Sequence, residues 1–289
     1  MEYIIMKKQL FFVSLALLMN CFIFNVKAKT VTESIPKQLE QPKKNQSSRK
    51  LKVAKIEVSE ELNFNQIMAD LSYAEKNNEI DAILLMIDNY GGSVARFSVL
   101  HDMVKAITKP VVSLVTAAAS GGYMVACASD CIISSSMSII GGIGVYQEVE
   151  SYSNTKIENP AGLRADVEVQ IISAGKFKVC KNPHFKSNKE HKQYLQEGID
   201  NIYKQFINMV ADDRNIKLAD SDKWAEGKTF TGSEALKLGL IDHLGTLFKA
   251  EEEILNLVSK NKPECRFDKN NMEFICLGSL TQTPAVKTV

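Results

Sequence analysis

Residues Val115–Asp130 read VTAAASGGYMVACASD, and the fold is decided by how this stretch is read. Three alanines, Ala117–Ala119, bring a single hydroxyl, Ser120, to the pair Gly121–Gly122, and an apolar run follows. Just upstream, VVSLVT has the continuous apolar character of a strand covered on both faces. Downstream, the spacing predicts a helix opened by Ser120. The same arrangement occurs once before. DAILLMID, Asp81–Asp88, is a buried strand, NYGGS breaks it, and VARFSVLHDMVKAI reads as a helix stopped by Lys109–Pro110. Two strand–turn–helix units in tandem predict an α/β fold with strands side by side and helices outside.

Outward from these units, LKVAKIEVS at 51–59 alternates like a strand, and FNQIMADLSYAEKN has helical spacing. CIISSSMSIIGGIGV, from Cys131, reads as short strands and turns, and VEVQIIS as another strand. A long amphipathic helix is expected over Lys189–Arg214, and a last helix from about Leu247 to Val258. Residues 51–260 thus form one domain, followed by a polar tail over 261–289. At the other end, Lys7 and Lys8 precede an apolar run, Leu10–Val26, and VKA offers small residues for cleavage. Residues 1–28 are read as a signal peptide or membrane anchor, and the polar residues 29–50 as a linker.

Composition excludes several classes. The 289 residues carry a net charge of +1, so nothing in the bulk electrostatics points to nucleic acid. Six cysteines in a chain of this length are not a disulfide scaffold. Cys127 and Cys131 read as small core residues of one buried helix. No CxxC pair or Cys/His grouping in the sequence calls for zinc, and no cofactor is expected.

The chemistry concentrates at the two Gly-Gly turns. Glycine lets the backbone bend sharply and approach a ligand, and a helix start presents unpaired N–H groups. Two such turns on neighbouring strands could aim donors at one developing oxyanion; equally, Gly91–Gly92 and Gly121–Gly122 could be tight turns and nothing more. Ser120 is placed as a nucleophile would be, although a serine at a helix start is more often an N-cap. None of the four histidines lies in a glycine turn or at the end of a buried strand, which leaves a Ser-His-Asp triad little support. Lysine is the remaining base. Lys176 and Lys178, in IISAGKFKVCKNP, follow an apolar run, where burial would favour the neutral amine.

The blocks IDNYGGSV, TAAASGGYMVACASDCII, IIGGIGV, ISAGKFK and GKTFTGSEALKLGLIDHLG stand in the order and approximate spacing of the signal peptide peptidase A serine peptidases, family S49. The chain resembles that family from about Leu51 to Leu257. The resemblance implies a ClpP/crotonase-like fold, a Ser-Lys dyad and no cofactor. It implies cleavage of residual signal peptides or other membrane-associated peptides, at the bacterial inner membrane facing the periplasm, or in the periplasm if the leader is removed. It also implies a homo-oligomeric ring, in which serine and lysine can come from neighbouring subunits. By matching position, Ser120 is the nucleophile, Lys178 rather than Lys176 the general base, and the N–H groups of Gly92 and Gly121 the oxyanion hole. Three positions depart from the pattern. Tyr90 replaces a proline, Val179 an acidic residue, and Gly142 the serine that orients the lysine; Ser138 lies near but out of register. Gly142 is the feature that favours the rival reading, a catalytically impaired homologue acting as an oligomeric peptide-binding or scaffold protein. Acyl-thioester chemistry is a third reading, weakened because no Asp or Glu falls inside the glycine turns.

Overall fold

The structure, a computed structural model, describes residues 49–61, 63–149, 156–158, 164–166, 170–263 and 265–278. The leader and most of the linker fall outside these residues. Four strands form the parallel centre of the sheet: β1 (Arg49–Ser59), β2 (Ala82–Asn89), β3 (Val111–Ala119) and β4 (Cys131–Gly141). The order across it is β7–β4–β3–β2–β1–β9, with β7 (Thr229–Thr231) antiparallel on β4 and β9 (Phe267–Cys276) parallel on β1. The two-residue strand β8 (His243–Leu244) also pairs with β4, and β5 (Lys156–Glu158) and β6 (Arg164–Asp166) form a separate hairpin.

β2 shows why the central strands are apolar throughout. Ile83, Leu85 and Ile87 point into one core, while Ala82 and Leu84 point into the other. The first core lies beneath α1 (Phe64–Lys76), α2 (Val94–Ala106), α3 (Gly121–Cys127) and the end of α4 (Lys189–Arg214). The second is closed by α7 (Leu247–Asn261), which presents Ala250, Ile254 and Val258 at four-residue spacing. With a side-chain period of two, both faces must be apolar, and no alternation survives in the sequence. Asp81 fastens the rim of this layer. Its carboxylate accepts from the Lys52 N–H and pairs with Arg49 and Lys262, linking the starts of β1 and β2 to the end of α7.

α4 is the longest helix among the described residues. Asn188 and His191 form its capping box, and Asn215 closes it in the left-handed conformation. Its buried residues beyond His191 are Phe206, Val210 and Ala211, so the C-terminal part packs on the core, and Tyr194 stands about half exposed. Arg214, at its end, donates two hydrogen bonds to the Asp242 carboxylate, at 3.1 and 2.7 Å. Two short helices follow, α5 (Ser221–Trp224) and α6 (Gly232–Lys237).

Four expectations change. CIISSSMSIIG is one strand, β4, in which the register slips so that Val115 pairs with Ser134 and Ala117 with Ile139. Ser138 secures the excursion by donating from Oγ to the Val115 carbonyl at 2.8 Å. Of VEVQIIS, residues 167–169 lie outside the described residues, and 170–173 have no regular structure. Cys127 and Cys131 are both buried, but Cys127 ends α3 and Cys131 begins β4. Finally, the polar tail contains β9. Its polar residues match a strand at the sheet edge, yet Leu277 just beyond it is fully buried.

Candidate active site

Ser120 is the most constrained residue of the β3–α3 junction. It has φ 51° and ψ −120°, a conformation that costs a side-chain-bearing residue about 1–3 kcal/mol and persists only where the surroundings over-determine it. The Ser120 N–H donates to the Gly141 carbonyl at 2.8 Å, and its own carbonyl accepts from the Met124 N–H at 2.9 Å. Its hydroxyl caps no helix N–H, so the N-cap reading is overturned. The side chain instead stands at a cavity of about 500 Å³, whose lining includes Tyr90, Gly142, Tyr146 and Tyr203.

Glycines make this bend possible by close approach. A Cβ on Gly91 would lie 2.7 Å from both the Gly121 nitrogen and the Ser120 Cβ. One on Gly122 would lie 2.2 Å from the Asn89 carbonyl oxygen, and one on Gly121 2.4 Å from the Phe97 ring. The β2 turn therefore packs directly onto the β3 turn, as neighbouring parallel strands allow. Among the described residues, the N–H groups of Gly92 and Gly121 have no acceptor. Gly91 is the residue in contact with Ser120. Gly92, matched to the oxyanion hole, lines an adjoining cavity with Gly91 and Phe97. Sequence spacing could not separate the two members of that pair.

Gly142 has φ 58°, donates its N–H to the Lys228 carbonyl, and lines the cavity at Ser120. A Cβ there would lie 3.0 Å from the Ser120 nitrogen. The absent hydroxyl thus goes with a backbone that favours glycine. Ser138 serves the β4 excursion and not this cavity.

Lys178 lies on the turn before α4. Phe177 stacks on Tyr194 at 4.5 Å and meets the His191 ring edge-on, which pins this turn to the first turns of α4. Lys176 pairs with Glu190, whereas Lys178 is exposed and has no ion-pair partner among the described residues. Among the described residues the apolar surroundings expected for the base are not found, and Lys178 is not among the residues lining the Ser120 cavity. A second group of reactive side chains lies under α2, α3 and α4. His101 is buried, with Nε2 2.7 Å from Asp213 Oδ2 and Nδ1 2.9 Å from Asp102 Oδ1, and Cys127 donates to Asp213 at 3.5 Å. Lys105 pairs with the other Asp213 oxygen, so hydrogen bonds and ion pairs account for this group. Burial pushes the Cys127 thiol well above its usual range, which leaves it protonated and inert.

Sequence reasoning missed the rest of the cavity wall. Gln196, Ile199, Asp200 and Tyr203 come from α4, and Glu226 and Gly227 from the loop before β7. The only signal was that Gly227 opens the block GKTFTGSEALKLGLIDHLG.

The profile of peptidase family S49 matches residues 103–260, which include both Ser120 and Lys178, and that of Clp protease matches residues 40–139. The parallel sheet with its strand–turn–helix units is accordingly the ClpP-like α/β fold. A putative protease of Methanocaldococcus jannaschii is 33% identical over 193 residues, 66% of this chain and 60% of its own length. A putative protease of Synechocystis is 29% identical over 227 residues, 77% of this chain and 80% of that one. A putative signal peptide peptidase SppA of Enterococcus faecium is 26% identical over 70% of this chain and 57% of its own length. The chain thus spans little more than half the length of two of these relatives. A family profile that covers more than half of the sequence and includes the Ser120 turn makes the chain a member of peptidase family S49.

Proposed function

We propose that this peptidase is a serine endopeptidase with Ser120 as nucleophile and Lys178 as general base. Its substrates are residual signal peptides or other membrane-associated peptides. The observation that carries this reading is the strained, glycine-enclosed Ser120, whose hydroxyl serves no cap and faces an open cavity. Neutral Lys178 takes the proton from Ser120 Oγ as it attacks the peptide carbonyl. The N–H groups of Gly121 and Gly92 stabilise the oxyanion. The lysine then protonates the leaving amine and activates water to hydrolyse the acyl-enzyme.

Because Lys178 is exposed and has no ion-pair partner among the described residues, the lysine acts on the Ser120 of a neighbouring subunit in a homo-oligomeric ring. Residues 1–28 hold the ring at the bacterial inner membrane, facing the periplasm, or are removed on export. Among the described residues no helix is long and apolar enough to cross a membrane. The same exposure of Lys178, together with Gly142, favours a second reading, a ring-forming scaffold that binds peptides without cutting them.

The protein lacking residues 1–28 separates the two when labelled with a fluorophosphonate probe. Labelling of the wild type and of Lys176→Ala, with loss in Ser120→Ala and Lys178→Ala, is the expected result. A folded, oligomeric wild type that takes up no probe and cuts no apolar peptide would establish the scaffold instead.

A further inference from the structure

We propose that Asp200 and Glu226 form a cation-selective subsite beside Ser120, which receives the side chain of a lysine or arginine in the peptide substrate. The inference rests on the proposed peptidase reading and assigns it a substrate class. Two acidic residues, Asp200 and Glu226, line the Ser120 cavity, and among the described residues no Lys, Arg or His lines it. The whole chain is nearly neutral, so this local negative charge does not follow from bulk composition.

Among the described residues neither carboxylate forms an ion pair. Asp200 accepts one hydrogen bond from the Gln196 amide, at 2.7 Å through Oδ1, and Glu226 accepts one from the Tyr203 hydroxyl, at 2.7 Å through Oε1. The second oxygen of each is left to a ligand or to water. Glu226 is also held in an uncommon conformation. Three non-glycine residues among those described have positive φ, and one of them, Asn215, is an ordinary helix cap. The other two, Ser120 and Glu226, line the same cavity. Glycine would adopt φ 62° without the penalty that a Cβ brings, so the fold accepts strain to place a carboxylate there. Tyr203 secures it from both ends, because the hydroxyl that donates to the carboxylate also accepts the Glu226 N–H at 3.3 Å. Tyr90, Tyr146 and Tyr203 add aromatic surface, which suits the aliphatic stem and the charged head of a long basic side chain.

The test uses end-capped peptides that differ at one position, carrying Lys, Arg, norleucine or Glu, cut by the protein lacking residues 1–28. The expected kcat/KM for Lys and Arg exceeds that for norleucine by about tenfold, and Glu is poorest, as one charged contact in a solvent-open cavity gives. The preference shrinks at high salt. In Asp200→Asn, Glu226→Gln the Lys-to-norleucine ratio falls to about one. Equal rates for Lys and norleucine in the wild type, or a ratio that survives both substitutions, would overturn the subsite. If the wild type neither labels with fluorophosphonate nor cuts any peptide, the peptidase reading has failed, and the subsite is then read by binding. Tighter binding of a fluorescent Lys peptide than of its norleucine counterpart, lost in the double variant, sustains it; equal binding refutes it.

Discussion

Replacing Gly142 with serine, the residue that the family resemblance implies there, should harm this protein. In Gly142→Ser the new residue must adopt φ 58°, which costs a side-chain-bearing residue about 1–2 kcal/mol. Its Cβ must also sit 3.0 Å from the Ser120 nitrogen and 3.1 Å from the Ala119 Cβ, two atoms on the turn that carries the nucleophile. Neither neighbour is the free end of a flexible side chain, so the turn itself must yield. Together these effects amount to about 2 kcal/mol, or roughly 4–8 °C in Tm for a domain of this size. Movement of the turn should also slow the reaction of Ser120 with a fluorophosphonate. Urea denaturation and the labelling rate, measured on the same preparation, read both effects. Gly198→Ala is the stability control, since nothing lies within 4 Å of its Cβ inside α4, and it should gain about 0.5–1 kcal/mol. A Gly142→Ser protein as stable as wild type that labels faster would refute the argument. It would mean that the turn relaxes freely and that only the hydroxyl was lacking.

Three further outcomes are expected. Burial lowers the His101 pKa, but the hydrogen bonds to Asp213 and Asp102 outweigh it and leave the group above its ordinary 6.5. Its contribution to stability is therefore complete below about pH 6.5 and is lost as pH rises through the raised value; the urea midpoint against pH should show this loss in the wild type and not in His101→Gln. Arg214→Ala leaves the Asp242 carboxylate without its bidentate partner and should cost about 3 kcal/mol, the low end for broken buried pairs because Asp242 is one-third exposed. A midpoint shift worth less than about 1 kcal/mol would show that water replaces the arginine. Ending the chain at residue 266 removes β9 and the buried Leu277, worth about 2 kcal/mol alone, and uncovers the β1 edge. Light scattering should detect aggregation, and a truncated chain with unchanged solubility and stability would show that β9 adds little.

The residues that were legible in sequence are those whose signals are local. DAILLMID and VVSLVT read as strands covered on both faces, and Lys189–Arg214 as one amphipathic helix, so the parallel layer follows from neighbours a few positions apart. Ser120 was found because a hydroxyl between alanines and glycines is unusual; what sequence could not give was its φ of 51°, which discriminates against the helix cap. β4 was misread because SSSMS has no strand signal of its own, and the Ser138 hydrogen bond that holds the excursion crosses to β3. The cavity wall was illegible for a related reason. Asp200, on α4, and Glu226, on the loop before β7, reach one cavity only in the folded chain, and nothing in their spacing marks them. Lys178 was assigned through the family pattern, and its place on an exposed turn is a property of the single chain that the sequence did not disclose.

The pairing of β9 with β1 has a consequence for how the molecule is made. Among the described residues β1 precedes every other strand and β9 follows them all, so the outer edge of β1 is made well before its partner exists. Contacts so far apart in the chain close late and slowly, because the intervening loop must be ordered before the pairing rewards it. During that interval an apolar strand with unsatisfied backbone groups stands open to other chains. The sealing of β1 by β9 is thus expected to be a late step, and a chaperone that shields β1 until residues 267–276 emerge would act on it.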